Sequence, residues 1–377
     1  MGTDNKLESV VAAVEEPELR RSLGELGLVR EVRSRWGKTT ASIGLVDPNH
    51  PQAKELEESV KRALEGAGVE APAVSFDVLD DQEIESLATK LREMSAAEGG
   101  SVQPLGHEEG RPNPFMRAGS PTRVLGISSG KGGVGKSSVT VNLAISLARR
   151  GARVGLLDAD VYGFSVPKML GLSRSPMIVG NVIVPPVAHG VACLSMGFFV
   201  EEATPVIWRG PMLHKALEQF LVDAWWAEPD YLLIDMPPGT GDVSLSLSQY
   251  LPKSEVYVVT TPQAAAQRVA QRSAFAARKL KLPLRGVIEN MSWFTGDDGK
   301  RYELFGQGGG EALAKDLEVP LLGQVPLVPA LREGGDVGLP VTVSDPGGEA
   351  AAAFDALADA VAKLGPARVY RSELKVR

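Results

Sequence analysis

The chain has 377 residues, 44% hydrophobic and 23% charged, with one cysteine and a formal net charge of −7. A single cysteine, Cys193, excludes a disulfide framework and any metal site built only from cysteines of one chain. Residues 1–95 carry 19 acidic and 12 basic side chains while the other 282 balance at 28 against 28, so neither part has the basic surplus that nucleic-acid binding wants.

No apolar run reaches the roughly 18 residues of a membrane helix, and Met1–Lys6 is polar, with no signal-peptide core. These features predict a cytoplasmic protein with no nucleic-acid and no membrane partner. The chain is long enough for two domains.

Residues 1–94 read as a small α+β domain. A helix is expected over Leu7–Ala13, then strands Val29–Arg35 and Lys38–Val46 around a turn at Trp36-Gly37. Leu56, Val60 and Leu64 recur every four residues, which predicts a helix over Gln52–Glu65. Ala73–Leu79 suits a last strand. Residues 95–121 hold Pro104, Pro112, Pro114 and Pro121 among Gly and Ser, the composition of a linker.

From 122 to 365 the pattern alternates. Apolar strands are predicted at Val124–Ser129, Arg153–Asp158, Tyr231–Asp235, Val256–Thr261, Gly286–Met291 and Leu321–Val325. Helices such as Lys136–Arg150 and Gln263–Leu280 lie between them. Buried strands interleaved with helices imply an α/β fold, a doubly wound, mostly parallel sheet. Ile178–Met196 breaks the rhythm and reads as a hairpin inserted at the sheet. Gly348–Leu364 is an Ala-rich helix, and 366–377 is a polar tail.

The first predicted strand of this part runs into Gly130-Lys131-Gly132-Gly133-Val134-Gly135-Lys136-Ser137 and then a helix, the context that a P-loop requires. Glycines let the backbone wrap phosphates with its N–H groups inward, and the helix N-terminus adds its dipole. Lys136 is placed to bridge β- and γ-phosphates, and Ser137 to ligate Mg2+. The nucleotide-binding set predicted here is Gly130, Lys131, Gly132, Gly133, Val134, Gly135, Lys136, Ser137, Ser138 and Asn290, with ATP and Mg2+ as cofactors. Two apolar strands each deliver carboxylates at their ends, Asp158-Ala159-Asp160 and Asp235, which suits a Mg2+ site, directly or through water. Helix capping is the plainer role for Asp158 and Asp242, and an ordinary turn residue is the plainer role for Asn290.

The octapeptide, with its extra Lys131, resembles the deviant P-loop of the MinD/ParA/nitrogenase-iron-protein class. That resemblance implies that Lys131 reaches a partner's nucleotide across a homodimer, that Asp160 orients the attacking water, and that Asp235 supports Mg2+. It also makes Pro237–Asp242 the second switch and gives Asn290 an adenine contact. Asp158-Ala159-Asp160-Val161-Tyr162-Gly163, Trp208-Arg209-Gly210-Pro211-Met212, Glu289-Asn290-Met291-Ser292 and Arg332-Glu333-Gly334-Gly335-Asp336 narrow the match. Together they closely resemble the Mrp (ApbC-like) iron–sulfur cluster carrier ATPases over about residues 120–364. Glu16-Pro17-Glu18 and Leu26-Gly27-Leu28-Val29 resemble the small Fe–S-assembly-associated domain often fused in front of them. The resemblance implies ATP hydrolysis by a homodimer, a client apoprotein, and one [4Fe-4S] cluster bridged by a Cys-x-x-Cys pair from each subunit.

The chain departs from that pattern at both expected cysteine positions. Between Phe294 and Phe305 it reads Thr295-Gly296-Asp297-Asp298-Gly299-Lys300, a turn by composition, and before the second helix of the N-terminal domain it has His50. Cys193 lies in an apolar run and reads as a small buried hydrophobe. Asp297, Asp298 and His50 are iron-ligand types but also ordinary polar turn residues, and His107, His189 and His214 show no ligand spacing. No Fe–S ligand is assigned. The competing functions are an ATP-dependent iron–sulfur carrier, a nucleotide-switched adaptor or chaperone for a client, and a ParA- or MinD-like positioning ATPase. The short tail is a poor amphipathic anchor, which counts against the third.

Overall fold

The computed structural model describes residues 3–35, 38–47, 49–50, 52–97, 113–116, 120–160, 163–199, 210–239 and 242–367. The turn at Trp36-Gly37, most of the linker, Val161-Tyr162, Trp208-Arg209, Thr240-Gly241 and the tail from residue 368 lie outside the described residues. Two compact units separate by their contacts.

The first unit has a three-stranded sheet, Val29–Arg35 antiparallel to Lys38–Leu45, which is parallel to Ala73–Val78. Helix Ala53–Gly66 buries Leu56, Val60 and Leu64 completely, as their spacing requires. A four-residue helix, Leu23–Leu26, is fixed by a capping box. The Glu25 N–H donates to Ser22 Oγ, the Glu25 carboxylate accepts from the Ser22 N–H, and Gly27 closes the helix at φ 73°. Helix Asp81–Ala97 follows the last strand. Its weaker periodicity predicts no element from sequence alone.

Two pieces from far along the chain also belong to this unit, Pro176–Pro185 and Asp223–Ala227. The first contains the hairpin Met177–Val179/Val182–Val184. Trp225 is buried and donates its indole N–H to the Leu19 carbonyl at 2.8 Å. The sequence division at residues 94 and 122 put both pieces with the second part. Their apolar residues, Val179, Val182, Val184 and Trp225, instead complete the first unit's core.

The second unit, Asn113–Ser175, Pro186–Val222 and Glu228–Arg377, is built on an eight-stranded sheet. Across it run Val187–Ala188, Val191–Ser195, Val154–Asp158, Tyr231–Asp235, Arg123–Ser129, Glu255–Thr260, Leu284–Asn290 and Leu321–Val325. Every neighbouring pair is parallel except the first. Ile178–Met196 is thus not one hairpin: it supplies a hairpin to the first unit and then Val191–Ser195, a full strand of this sheet.

Strand Glu255–Thr260 shows why the sheet needs helices on both faces. Tyr257 and Val259 pack with helices Lys136–Ala148 and Glu349–Leu364, while Val256 and Val258 pack with helices Ala264–Lys279 and Gly309–Asp316. Phe354, Leu357 and Val361 of the last helix are fully buried, each worth ~1.5–3 kcal/mol of apolar transfer. The Arg123 and Arg285 guanidiniums donate to carbonyls at the end of that helix, those of Val361, Leu364 and Gly365, and both approach the buried Glu255.

Candidate functional site

Parallel strands all point their C-terminal ends one way, so side chains from separated segments meet along a single edge. Here Arg123–Ser129 enters the P-loop, with Val154–Asp158 and Tyr231–Asp235 on one side and Glu255–Thr260 on the other. Register places Asp235 beside Asp158.

The loop geometry explains two of its glycines. A Cβ on Gly130 would overlap the backbone of Val269 and Ala270, so any side chain there displaces helix Ala264–Lys279. Gly135 sits at φ 78° and would strike the Asn290 amide. Gly135 is also the N-cap of helix Lys136–Ala148, and no side chain caps it. The first N–H groups of that helix are left for an anion.

Lys136, Ser137 and Asp235 converge. The Lys136 ammonium lies 2.6 Å from Asp235 Oδ2 and 3.9 Å from Asp160 Oδ2. Ser137 Oγ donates to the same Asp235 Oδ2 at 2.6 Å. Thr140 Oγ1 reaches Asp235 Oδ1 at 2.8 Å. Asp235 is fully buried, and its charge is tolerated because three donors surround it. Lys136 is only 6% exposed, folded onto the carboxylate.

Asp158, also fully buried, accepts the Asp160 N–H at 3.1 Å and the Ser195 hydroxyl at 3.0 Å. Burial first, and the nearby Asp235 carboxylate second, push its acid up to about 7. It acts on the backbone of Asp160, which leaves the Asp160 carboxylate on the Lys136 side. The next loop is tied to the P-loop strand: the Gly239 N–H donates to the Ser129 carbonyl at 2.8 Å, and Ser273 bridges the Ser128 hydroxyl and the Gly239 carbonyl.

Asn290 is 1% exposed and donates its Nδ2 to the Val134 carbonyl at 2.9 Å, so its first role is to hold the P-loop. Its buried Oδ1 has no hydrogen-bond partner among the described residues. The neighbouring Glu289 is spent on structure: its carboxylate accepts the Gly310 N–H at a helix start and the Gln324 amide. Lys131 is half-buried, its carbonyl accepts the Ser129 hydroxyl, and its ammonium has no partner among the described residues. Ser138 is half-buried on the first turn. Sequence reasoning missed Thr140 and Ser195, and it named Glu289 only within the motif Glu289-Asn290-Met291-Ser292, with no role of its own. Only Thr140 left a signal, four residues from Lys136 on the same helical face.

Cys193 is fully buried beside Leu156 in the sheet, and burial raises its thiol well above the ordinary range. Residues 294–302 form a short hairpin, Phe294–Thr295 against Arg301–Tyr302. The Lys300 N–H and the Tyr302 hydroxyl both donate to Asp298 and hold its carboxyl below the usual carboxylate range. Glu349 is pushed up by burial, yet hydrogen bonds from Trp293, Thr295 and Arg301 leave it below its ordinary value. In the first unit, buried His50 accepts the Gln52 N–H on Nδ1, with Nε2 3.2 Å from Glu16 and 3.6 Å from Glu18. Among the described residues no three or more His, Cys, Asp or Glu are grouped to hold a metal ion. None of the described helices is long and apolar enough to cross a membrane.

Comparison with known proteins bears on this edge directly. Residues 120–362 match the ParA family, described as NUBPL iron-transfer P-loop NTPases. A protein of Mycobacterium leprae called an iron-sulfur cluster carrier protein is 43% identical over 346 residues, 90% of this chain and 87% of its own length. A Synechocystis protein of the same description is 40% identical over 96% of this chain and 98% of its own. A nucleotide-binding protein of Archaeoglobus fulgidus, solved in complex with ADP, superposes with a TM-score of 0.54 at 31% identity, covering 62% of this chain and 93% of that one.

Proposed function

The chain belongs to the ParA family of NUBPL iron-transfer P-loop NTPases, and on that premise we propose that it binds and hydrolyses ATP to drive iron–sulfur cluster delivery. The observation that carries this reading is the approach of both the Lys136 ammonium and the Ser137 hydroxyl to Asp235 Oδ2, each at 2.6 Å, at the mouth of the P-loop.

The donor set suits a hard divalent cation. Ser137 and Asp235 offer a hydroxyl and a carboxylate oxygen, and phosphates and water complete such a shell. These two residues would hold Mg2+, which when bound neutralises charge across the β- and γ-phosphates. Lys136 leaves Asp235 and takes phosphate oxygens, exchanging one anion for another. The backbone N–H groups of Gly132–Ser137 and the helix start take the rest of the phosphate charge. Asp160, held at its backbone by Asp158, orients the attacking water. Asn290 keeps the loop in place through Val134, and its Oδ1 suits the exocyclic amine of adenine, a donor in need of an acceptor. Lys131 serves the nucleotide of a second copy in a homodimer.

The cluster is cargo, and the ligands for it do not come from Cys193. A thiol without solvent access and with a raised pKa is neither a thiolate nor within reach of an incoming cluster. Asp298 already spends its carboxylate within the hairpin. The cluster is carried on thiolates of a client protein, with nucleotide state setting when the client is held and released. This joins the carrier reading to that of a nucleotide-switched adaptor.

Asp160 gives the test. Asp160→Asn should leave ATP affinity within about threefold and lower turnover by ~100-fold or more, the scale of a lost positioned carboxylate. Isothermal titration together with phosphate release separates the two, and wild-type turnover in the variant would remove Asp160 from the reaction.

A further inference from the structure

One buried hydroxyl at the nucleotide edge has no part in the proposed reaction. Thr140 lies one turn beyond Lys136 on the P-loop helix and is fully buried. Its Oγ1 is 2.9 Å from the Lys136 carbonyl and 2.8 Å from Asp235 Oδ1. We propose that Thr140 is a positioning residue that sets the rotation of the Asp235 carboxylate, turning Oδ2 toward Ser137 and the cation. The inference rests on Ser137 and Asp235 being the Mg2+ site.

Thr140 has one hydroxyl proton and two acceptors. The Lys136 carbonyl is a neutral acceptor already used by its own helix. The Asp235 carboxylate is charged, so the bond to it is the stronger. The Asp235 backbone is fixed independently, paired in register with Ile127 and Asp158 and accepting the Ala159 N–H at 3.0 Å. Only the side-chain torsions remain to be set, by Lys136, Ser137 and Thr140. Two of these three donors are called away when a nucleotide and its cation bind. Lys136 goes to the phosphates and the Ser137 oxygen turns to the cation. Thr140 stays, because its partner Oδ1 faces the helix. It is therefore the donor that holds Asp235 during the step in which Asp235 is needed. Groups behind a metal site commonly act in this way, by orienting its donors.

The test uses Thr140→Val, which keeps the shape and removes the hydroxyl, beside Thr140→Ser, which keeps the hydroxyl. Binding of a fluorescent ADP analogue to the full chain is measured in EDTA and across a Mg2+ titration. Thr140→Val should bind within about twofold of wild type in EDTA and need about tenfold more Mg2+ for its half-maximal effect, the scale of a lost second-layer contact. Thr140→Ser should follow wild type. If Thr140→Val does not fold, judged by circular dichroism, Thr140→Ala takes its place. An unchanged Mg2+ midpoint in a folded variant without the hydroxyl overturns the proposal. So does equal weakening in EDTA and in Mg2+, which would assign Thr140 to the loop fold. A wild-type chain that binds no nucleotide at all would instead remove the Mg2+ site itself.

Discussion

Lys136→Ala should bind nucleotide at least ~100-fold more weakly than wild type, the loss expected when one partner of a buried charge pair is truncated. The effect is large because Lys136 has no substitute. It is the one cation placed within 4 Å of both Asp160 and Asp235 among the described residues. In the variant the buried Asp235 carboxylate would keep the Ser137 and Thr140 hydroxyls but lose its cation beside the incoming phosphates. The ligand-free protein should suffer too. Asp235 is fully buried, and an uncompensated buried charge costs ~3–5 kcal/mol. Thermal unfolding should therefore fall in the variant, and the gap to wild type should widen when ADP is added, because only wild type gains from ligand. Titration calorimetry on the folded variant decides the matter: an affinity within a few fold of wild type would mean that the phosphates bind elsewhere.

Lys131→Ala should behave in the opposite way, keeping nucleotide affinity while losing ~100-fold or more in turnover, as when a cation supplied to a phosphoryl transfer from a partner is removed. Its ammonium has no partner within the described residues, while the glycines beside it, Gly132 and Gly133, have open space around them. A mixing experiment separates help from a partner from help within one chain. In a heterodimer of Lys131→Ala and Asp160→Ala subunits, one of the two sites regains both groups only if Lys131 acts across the dimer. Random pairing of equal amounts should then restore about a quarter of wild-type turnover, by the two-fold symmetry of such dimers. No recovery on mixing would place Lys131 on its own subunit's nucleotide.

Much of this site is legible in the amino-acid sequence. The P-loop carries its own constraints in order, a strand, glycines where the backbone must turn or pass close, then Lys136-Ser137 at a helix start. Apolar runs ending in Asp, as at Tyr231–Asp235, show a parallel strand delivering a carboxylate to the same edge. What stays hidden depends on contacts between distant segments. Ser195 reaches Asp158 across 37 residues of chain, and no local pattern announces it. Glu289 looks like part of a nucleotide motif, yet its carboxylate accepts the Gly310 N–H in the first turn of a helix. The hairpin at Met177–Val184 has the alternation of an ordinary strand pair, and only the three-dimensional core reveals that it completes the first unit. Cys193 is legible because an apolar run predicts burial, and burial decides its chemistry.

Two capacities are separate in the proposed function: ATP binds at the P-loop, while the single cysteine, Cys193, is buried and offers no thiolate to a cluster. Anaerobic reconstitution of the full chain, followed by iron, acid-labile sulfide and bound-nucleotide counting on one sample, tests both at once. About one nucleotide per chain is expected, with iron at background, in wild type and in Cys193→Ser alike. About four irons per dimer, whether lost or retained in Cys193→Ser, would contradict this separation: loss would make Cys193 a ligand, and retention would place the cluster on other side chains of this protein.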